Sequence, residues 1–414
     1  MDIFNNNIFD GGMELYEKIN IIEEIENSTF HPLVDMNYLF DGLERSIKGS
    51  AWKGEPQKFY LNFLHNLNEL RKEVLFRTYQ TSQGSIFKIN ERGHERIIHG
   101  AITRDRTIRH VLCDFILEVE LSQYLIHNNG ASQKGKGVSF SRRQFEKDLH
   151  NYYLKHGTNE GYIGLIDLSK FYDNIVHEKV KEAMFPYLDD LSRYLLEEVL
   201  RNFEVDMSHL SDEDFAVCMD KKFNSIDYNA ETKYIKKIGE KMMKKSVDIG
   251  DQVSQNIGVF FPTPIDNYVK IVRQCKWYGR YMDDMYVICQ TKEEVEDIIR
   301  GISEIATELG LFINEKKTRI CKLSDRFKFL QIKYYLDENG RVVRRINSKA
   351  ITRERRKLKA YKRLLDKGGI EYEDIKQAYK SWMGGYAYLM SKEQIKNMKK
   401  TYFDLFKEDV RWKK

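Results

Sequence analysis

Proline is scarce in this sequence of 414 residues: there are five in all, few enough to permit long uninterrupted helices, and no proline- or serine-rich linker divides the chain. Cysteine is equally sparse. Cys113, Cys218, Cys275, Cys289 and Cys321 are scattered with no C-x-x-C pair, which disfavours a structural zinc site and a disulfide framework and leaves them as reduced core residues. No run of about 18 apolar residues occurs, so no membrane partner is expected. The opening residues, MDIFNNNIFDGG, hold acid and amides where an export signal would hold basic residues and an apolar run. A cytoplasmic location is the expectation.

What the sequence does contain is enough for a substantial core. Hydrophobic residues make up 42%, aromatic residues 13% and charged residues 32%, a balance that excludes a disordered tail and a collagen-like fibre. At about 150 residues per domain, the length suggests two or three subdomains. The net charge of +5 conceals an asymmetry: residues 341–363 hold eleven Lys or Arg and one Glu, or +10, so the remainder carries −5. Such a block suits a phosphate backbone, or is simply a solvated helix face.

Apolar residues at three- and four-residue spacing predict amphipathic helices over 12–28 and 57–76, and RTYQTSQGSIFKINERGHERIIHGAIT alternates like a hairpin. Helical periodicity returns over 104–118, and NNGASQKGKG (128–137) is a Gly/Lys loop. GYIGLIDLSKFYDNI begins as a buried strand ending at Asp167, and Asp173 reads as the N-cap of a helix running to Phe203. WYGRYMDDMYVICQ reads as an acidic hairpin, KEEVEDIIRGISEIATELG as a helix, LFINEKKTRICKL as strand and turn, and 371–397 as helical.

Tyr281-Met282-Asp283-Asp284 sets two adjacent carboxylates at the tip of an apolar hairpin, where they repel one another and lose hydration. A divalent cation removes that conflict, although an isolated Y-x-D-D string is equally consistent with a solvent-exposed turn. Asp167, 116 residues upstream of Asp283, also ends an apolar strand; on one sheet, it brings a third carboxylate to the hairpin. Hard oxygen ligands suit Mg²⁺, and two ions about 3.5–4 Å apart activate an attacking hydroxyl while neutralising a leaving pyrophosphate. The chemistry indicated is nucleotidyl transfer.

The strings D-L-S-K-F-Y-D (Asp167 to Asp173), Y-M-D-D (Tyr281 to Asp284), L-F-I-N-E-K-K-T (Leu311 to Thr318) and F-L-Q (Phe329 to Gln331) stand in the order expected of reverse transcriptases. Over roughly residues 40–395 the sequence resembles that family. IGDQVSQNIGVFFPTPIDNYVK is similar to its template- and primer-positioning segment in the Ser-Gln form, with Ser254 and Gln255 the matching residues, where most intron-encoded relatives carry Pro-Gln-Gly. The departure points toward bacterial relatives: diversity-generating retroelements, abortive-infection systems and other defence-associated enzymes.

The resemblance implies an α+β right-hand polymerase fold: a helical N-terminal region (1–80), fingers (81–160), an antiparallel-sheet palm (161–335) with an insertion at about 200–245, and a short, basic helical thumb (336–414). It implies Asp167, Asp283 and Asp284 as ligands of two Mg²⁺ ions, with Mn²⁺ as a substitute, and Lys317 as the acid that protonates departing pyrophosphate. Arg96 is implied as the residue reaching the incoming triphosphate, with Lys134 and Lys136 as weaker candidates, and Tyr172 as an aromatic gate against the ribose 2′-hydroxyl. Ser254, Gln255, Tyr281 and Met282 are implied substrate contacts, and Gln331 stands where the family usually has glycine.

The implied activity is RNA-directed DNA synthesis, with an RNA template, a DNA product and deoxynucleotides as partners. No endonuclease-, integrase- or ribonuclease H-like region is read, which favours a bacterial enzyme copying a dedicated, structured noncoding RNA in phage defence. The alternatives are a diversity-generating retroelement polymerase with an accessory protein and, from another class, a catalytically idle RNA-binding module. Between Asp173 and Gly250 lie 76 residues, more than a helix and short loop need, with room to contact a partner protein, an RNA or a second copy of the chain.

Overall fold

The structure, a computed structural model, describes residues 31–82, 84–91, 94–224 and 240–410; the helix expected at 12–28 lies outside them. Helix α1 (Met36–Ile47) starts where the Asp35 carboxylate accepts from the backbone N–H groups of Asn37 and Tyr38, satisfying donors that a helix leaves free in its first turn. The helix expected at 57–76 is two, Gly54–Leu61 and Phe63–Leu75, separated at Asn62. Strands β1 (Ser85–Glu91) and β2 (His94–Gly100) form the antiparallel hairpin that the alternation predicts. Helix α2 (Thr103–Leu112) packs Ile108 and Val111 in one core with Leu39 and Leu43 of α1. The two backbones approach closely at Gly42, where a Cβ would lie 2.7 Å from the Thr107 carbonyl oxygen. Past Leu112 the helix expected to 118 loosens into a π turn, Cys113–Leu117.

Helix α3 (Val138–His156) precedes strand β3 (Tyr162–Asp167). The single helix expected from Val176 to Phe203 is broken: His177–Met184 has Val176 at its N-cap, and after a turn at Phe185–Tyr187 helix α4 (Asp190–Phe203) restarts with Asp189 as its cap. Pro186 lacks the N–H that would continue the first helix, and the Asp189 carboxylate supplies a new start. Asp173 lies in a short 3₁₀ turn, not at a helix cap. Strands β4 (Val205–Asp206) and β5 (Met242–Met243) pair around helix Asp212–Asp220 to form the described part of the insertion, with its own small core of Val205, Met207, Cys218, Phe223 and Met243.

Helix α5 (Gln252–Phe260) leads to the hairpin of β6 (Trp277–Tyr281) and β7 (Asp284–Cys289), then helix α6 (Lys292–Glu308) and strand β8 (Arg319–Lys322). These strands form one antiparallel sheet in the order β6-β7-β3-β8. Successive residues of a strand point to opposite faces, and here each face has its own core. Ile166, Met285 and Val287 join the core containing α1, α2 and α6, whereas Ile163, Leu165, Tyr286 and Ile288 join that containing α3. Gly164 lets α6 approach: a Cβ there would stand 2.7 Å from Val295 Cγ1.

The second core continues into a three-stranded sheet, β9 (Phe327–Phe329), β10 (Ile332–Leu336) and β11 (Val342–Ile346), and into helices α7 (Ser348–Leu365), α8 (Tyr372–Tyr386) and α9 (Lys392–Phe406). Phe145 of α3 is its aromatic centre, with ring centroids 4.7 Å from those of Tyr286 and Phe329 and 5.0 Å from that of Tyr334. The basic block is therefore not one helix face: it divides between β11 and α7. All five cysteines are free, three of them buried and two half-buried.

Candidate active site

The acidic residues meet because of strand register. β3 and β7 pair so that Asp167 stands directly opposite Asp284, and β6 pairs with β7 so that Tyr281 opposes Asp284. Met282 and Asp283 are thereby left as a two-residue turn. Met282 takes φ +54°, a left-handed conformation that costs a non-glycine residue about 1–2 kcal/mol. What holds it is Arg280, fully buried, whose guanidinium forms a salt bridge with Asp266 and donates to the carbonyl oxygens of Val259 (2.7 Å), Gly258 (3.3 Å) and Met282 (3.4 Å). Tyr278 donates to the same Asp266 carboxylate at 2.7 Å. Arg280 thereby ties the acidic turn to α5 through the Gly258 and Val259 carbonyl oxygens, and to the next short helix, Thr263–Asn267, through a charge pair shielded from water.

Asp167 is held from the side of the segment before β8. Asn314 Nδ2 donates to its Oδ1 at 2.9 Å, Lys317 Nζ lies 3.0 Å from its Oδ2, and the Asn314 N–H donates to its carbonyl oxygen at 2.8 Å. Burial works against the Lys317 charge, but the hydrogen bond and field of Asp167, with Asp283 and Asp284, hold the ammonium above the ordinary lysine value. The other two carboxyls are less well compensated. Burial, then the charge of Asp167, pushes Asp283 up to about 6; burial, then Asp283 and Asp167, pushes Asp284 up to about 7. Among the described residues no three His, Cys, Asp or Glu side chains form a preformed cation cage.

A cavity of about 750 Å³ opens on these carboxylates and is walled by Arg96, Lys317, Arg319, Lys328 and Lys349. A second, of about 460 Å³, shares Arg96, Asp283 and Lys317 and adds Tyr172 and Asn314. Arg96, carried on β2, acts electrostatically on both Asp283 and Tyr172. Burial, then the negative field of Asp283, pushes the Tyr172 phenol up to about 12, and its hydroxyl stands 3.7 Å from Met282 Sδ. The structure thus brings together Asp167, Asp283, Asp284, Lys317, Arg96, Tyr172 and Met282.

Other expected residues lie elsewhere. Ser254 is fully buried in α5, its hydroxyl without a hydrogen-bond partner among the described residues, so it offers no surface to a substrate. Gln255 accepts from the Ser132 hydroxyl at 3.1 Å. Tyr281 is half-buried and packs against the second core. Lys134 pairs with Glu118 at 3.0 Å and Lys136 donates to the carbonyl oxygens of His127 and Asn129, both at 3.1 Å, so these lysines hold their own loop and line neither acidic cavity. Asn314, Lys328 and the Arg280–Asp266 pair went unread in the sequence, although an arginine inside the apolar run before Asp283 is itself a signal, since a buried charge needs a partner.

Gln331 explains its own departure from glycine. Leu330 and Gln331 form the two-residue turn between β9 and β10 with φ +41° and +71°, a turn in which both central residues are left-handed and glycine is favoured. The Arg142 guanidinium clamps it, donating to the Leu330 carbonyl oxygen at 2.6 and 3.2 Å.

Residues 214–334 match the family described as reverse transcriptase (RNA-dependent DNA polymerase). That segment, under a third of the chain, takes in Asp283, Asp284, Lys317, Ser254 and Gln255, and the match supports an RNA-directed DNA polymerase. Asp167, Tyr172 and Arg96 precede it and reach the site through the fold. No curated protein matches the sequence. Among solved structures, a telomerase from Candida albicans in complex with a TWJ fragment of telomeric RNA is similar at 14% identity with a TM-score of 0.43, over 80% of this chain and 56% of that chain. The chain therefore spans a little over half the length of that telomerase chain.

Proposed function

We propose that this protein is a reverse transcriptase that extends a DNA primer on an RNA template by nucleotidyl transfer at Asp167, Asp283 and Asp284. The observation that carries the reading is the direct pairing of Asp167 with Asp284 beside Asp283, at the mouth of a cation-walled cavity of about 750 Å³. Three carboxylates with hard oxygens, two of them pushed toward neutrality by burial and by neighbouring carboxylates, fit a divalent cation such as Mg²⁺ or Mn²⁺. When bound, a pair of such ions supplies Lewis-acid stabilisation of the attacking and leaving oxygens.

The chain's own residues do the rest. Arg96 and Lys317 meet the negative charge of a triphosphate, and Lys317, held protonated by Asp167, gives a proton to departing pyrophosphate; their shared lining of the cavity beside Asp283 supports this reading. Tyr172, beside Asp283 and against Met282, faces the sugar. In this reading the sheet region is the palm, β1–β2 belongs to the fingers, and the cationic surface of α7 belongs to a thumb that holds duplex phosphates. The Ser254-Gln255 form of the segment before the hairpin supports a bacterial relative, and among these we favour a defence enzyme copying a dedicated noncoding RNA.

The test is primer extension by the purified full-length protein with RNA template, DNA primer, Mg²⁺ and labelled deoxynucleotides, beside Asp283→Asn. Extension by wild type and its loss by at least about 10³-fold in the variant are expected. RNA bound tightly with no incorporation by either protein would overturn the polymerase reading in favour of an RNA-binding module.

A further inference from the structure

The insertion between Asp173 and Gly250 returns to the turn that carries Tyr172 and grips it from two sides. On one side Asn174, fully buried, uses its whole carboxamide: Nδ2 donates to the carbonyl oxygens of Lys170 (2.9 Å) and Phe223 (3.1 Å), and Oδ1 accepts from the Phe223 N–H (2.8 Å). Phe223 is itself buried in the insertion's small core beside Met207, Cys218 and Met243. On the other side, the chain leaving the insertion runs back past the turn. The Val247 N–H donates to the Tyr172 carbonyl oxygen (3.0 Å), the Ser246 N–H to that of Ile175 (2.9 Å), and the His177 ring lies 2.6 Å from the Ser246 carbonyl oxygen.

Lys245 joins the two sides. It is 1% exposed, and its ammonium donates to the carbonyl oxygens of Lys221 (2.8 Å) and Met219 (3.3 Å), at the end of helix Asp212–Asp220, while standing 5.6 Å from the Phe312 ring centroid. A buried amide and a buried ammonium are costly unless their donors are met, and here they are met by the insertion. The hydroxyl end of Tyr172 is packed as well: a Cβ on Gly258 would stand 3.2 Å from its hydroxyl, and Met282 Sδ lies 3.7 Å away. The backbone of the turn that carries Tyr172 is thus held by the insertion, and the hydroxyl end of its ring stands against α5 and the acidic turn.

We propose that the insertion is a brace for Tyr172, and that Asn174 and Lys245 are positioning residues through which it sets discrimination between deoxyribonucleoside and ribonucleoside triphosphates. The inference rests on the polymerase reading above. The two substrates differ by one oxygen on the sugar, so a ring free to retreat by a fraction of its width admits both, whereas a braced ring does not.

Asn174→Asp keeps the shape and the acceptor while removing the donated hydrogen bonds; Lys245→Met keeps the apolar stem while removing the ammonium. With full-length protein, RNA template, DNA primer and Mg²⁺, kcat/KM is measured for a deoxynucleoside triphosphate and for its ribonucleotide counterpart, and thermal melts verify folding. The ratio is expected to fall about tenfold in each variant, with deoxynucleotide kcat within about threefold of wild type. An unchanged ratio in either folded variant, or an equal loss for both nucleotides, overturns the brace. Wild type that extends with neither nucleotide overturns the polymerase reading and the brace with it; active wild type with unaltered variants overturns the brace alone.

Discussion

Asp167 and Asp284 face each other as a direct cross-strand pair of β3 and β7, with Asp283 next to them in the turn. Like charges opposed on one face destabilise a sheet, and among the described residues Asp167 has a close cationic partner in Lys317, at 3.0 Å. The site carries a built-in electrostatic cost that a cation bound there would relieve.

Mg²⁺ is accordingly expected to raise the thermal midpoint of the wild type, with a gain of about 1.4 kcal/mol at ten times its Kd, and to leave Asp283→Asn/Asp284→Asn unmoved. Melts with and without Mg²⁺ or Mn²⁺ decide the point; equal shifts in both proteins would remove these carboxylates as ligands.

Arg280→Met leaves the Asp266 carboxylate buried without its charge partner and is expected to cost about 3–5 kcal/mol in urea unfolding. Adding Asp266→Leu should recover much of that loss, because the uncompensated charge goes with it. A single-variant loss below about 1 kcal/mol would mean that the pair does not anchor the acidic turn.

Asp148 provides a pH signature away from the acidic turn. Burial pushes its carboxyl up to about 6, against hydrogen bonds donated by the Tyr286 hydroxyl (2.7 Å) and Asn128 Nδ2 (3.1 Å) and the charges of Lys270 and Lys147. Because the folded value lies above the unfolded one of about 3.9, its contribution to stability is fully present below about pH 4 and is lost as pH rises through about 6. Asp148→Asn should therefore gain on wild type between about pH 4 and about pH 7, by on the order of 1–3 kcal/mol. Urea unfolding of both proteins across that range tests it, and parallel pH curves would contradict it.

Gln331→Gly should relieve the left-handed backbone at φ +71° by about 1–2 kcal/mol while adding about 0.4–1 kcal/mol of unfolded-state entropy, for a net gain of about 0.5 kcal/mol. A shift of the urea midpoint without a change in slope would show it; a clear loss would mean that Gln331 makes a contact worth more than the strain.

The carboxylates of the site were legible because their signals are local. The apolar run ending at Asp167, the acidic pair at the tip of its hairpin and the Lys317 segment each announce themselves within a dozen residues. The break between Met184 and Asp190 was also written locally, in Pro186 and Asp189, but the apolar spacing on both sides masked it. Ser254 and Lys136 misled because sequence does not show where a polar side chain finds its shelter: one is sealed in α5, and the other is spent on two carbonyl oxygens of its own loop. Asn314 and Lys328 were invisible because their importance lies wholly in what they face.

By itself the sequence determined the β1–β2 hairpin, the strand ending at Asp167, the acidic hairpin with the helix that follows it, and the carboxylates available to a cation, since side-chain patterning and turn chemistry act over a few residues; the β9–β11 sheet and α5 went unread. Tertiary structure decided that Asp167 opposes Asp284, that Arg280 finds Asp266 and that Asn174 closes on Phe223. Those are choices of register and packing between segments distant along the chain, made by burial on both faces of the sheet and by the cost of leaving a buried charge or amide unmet.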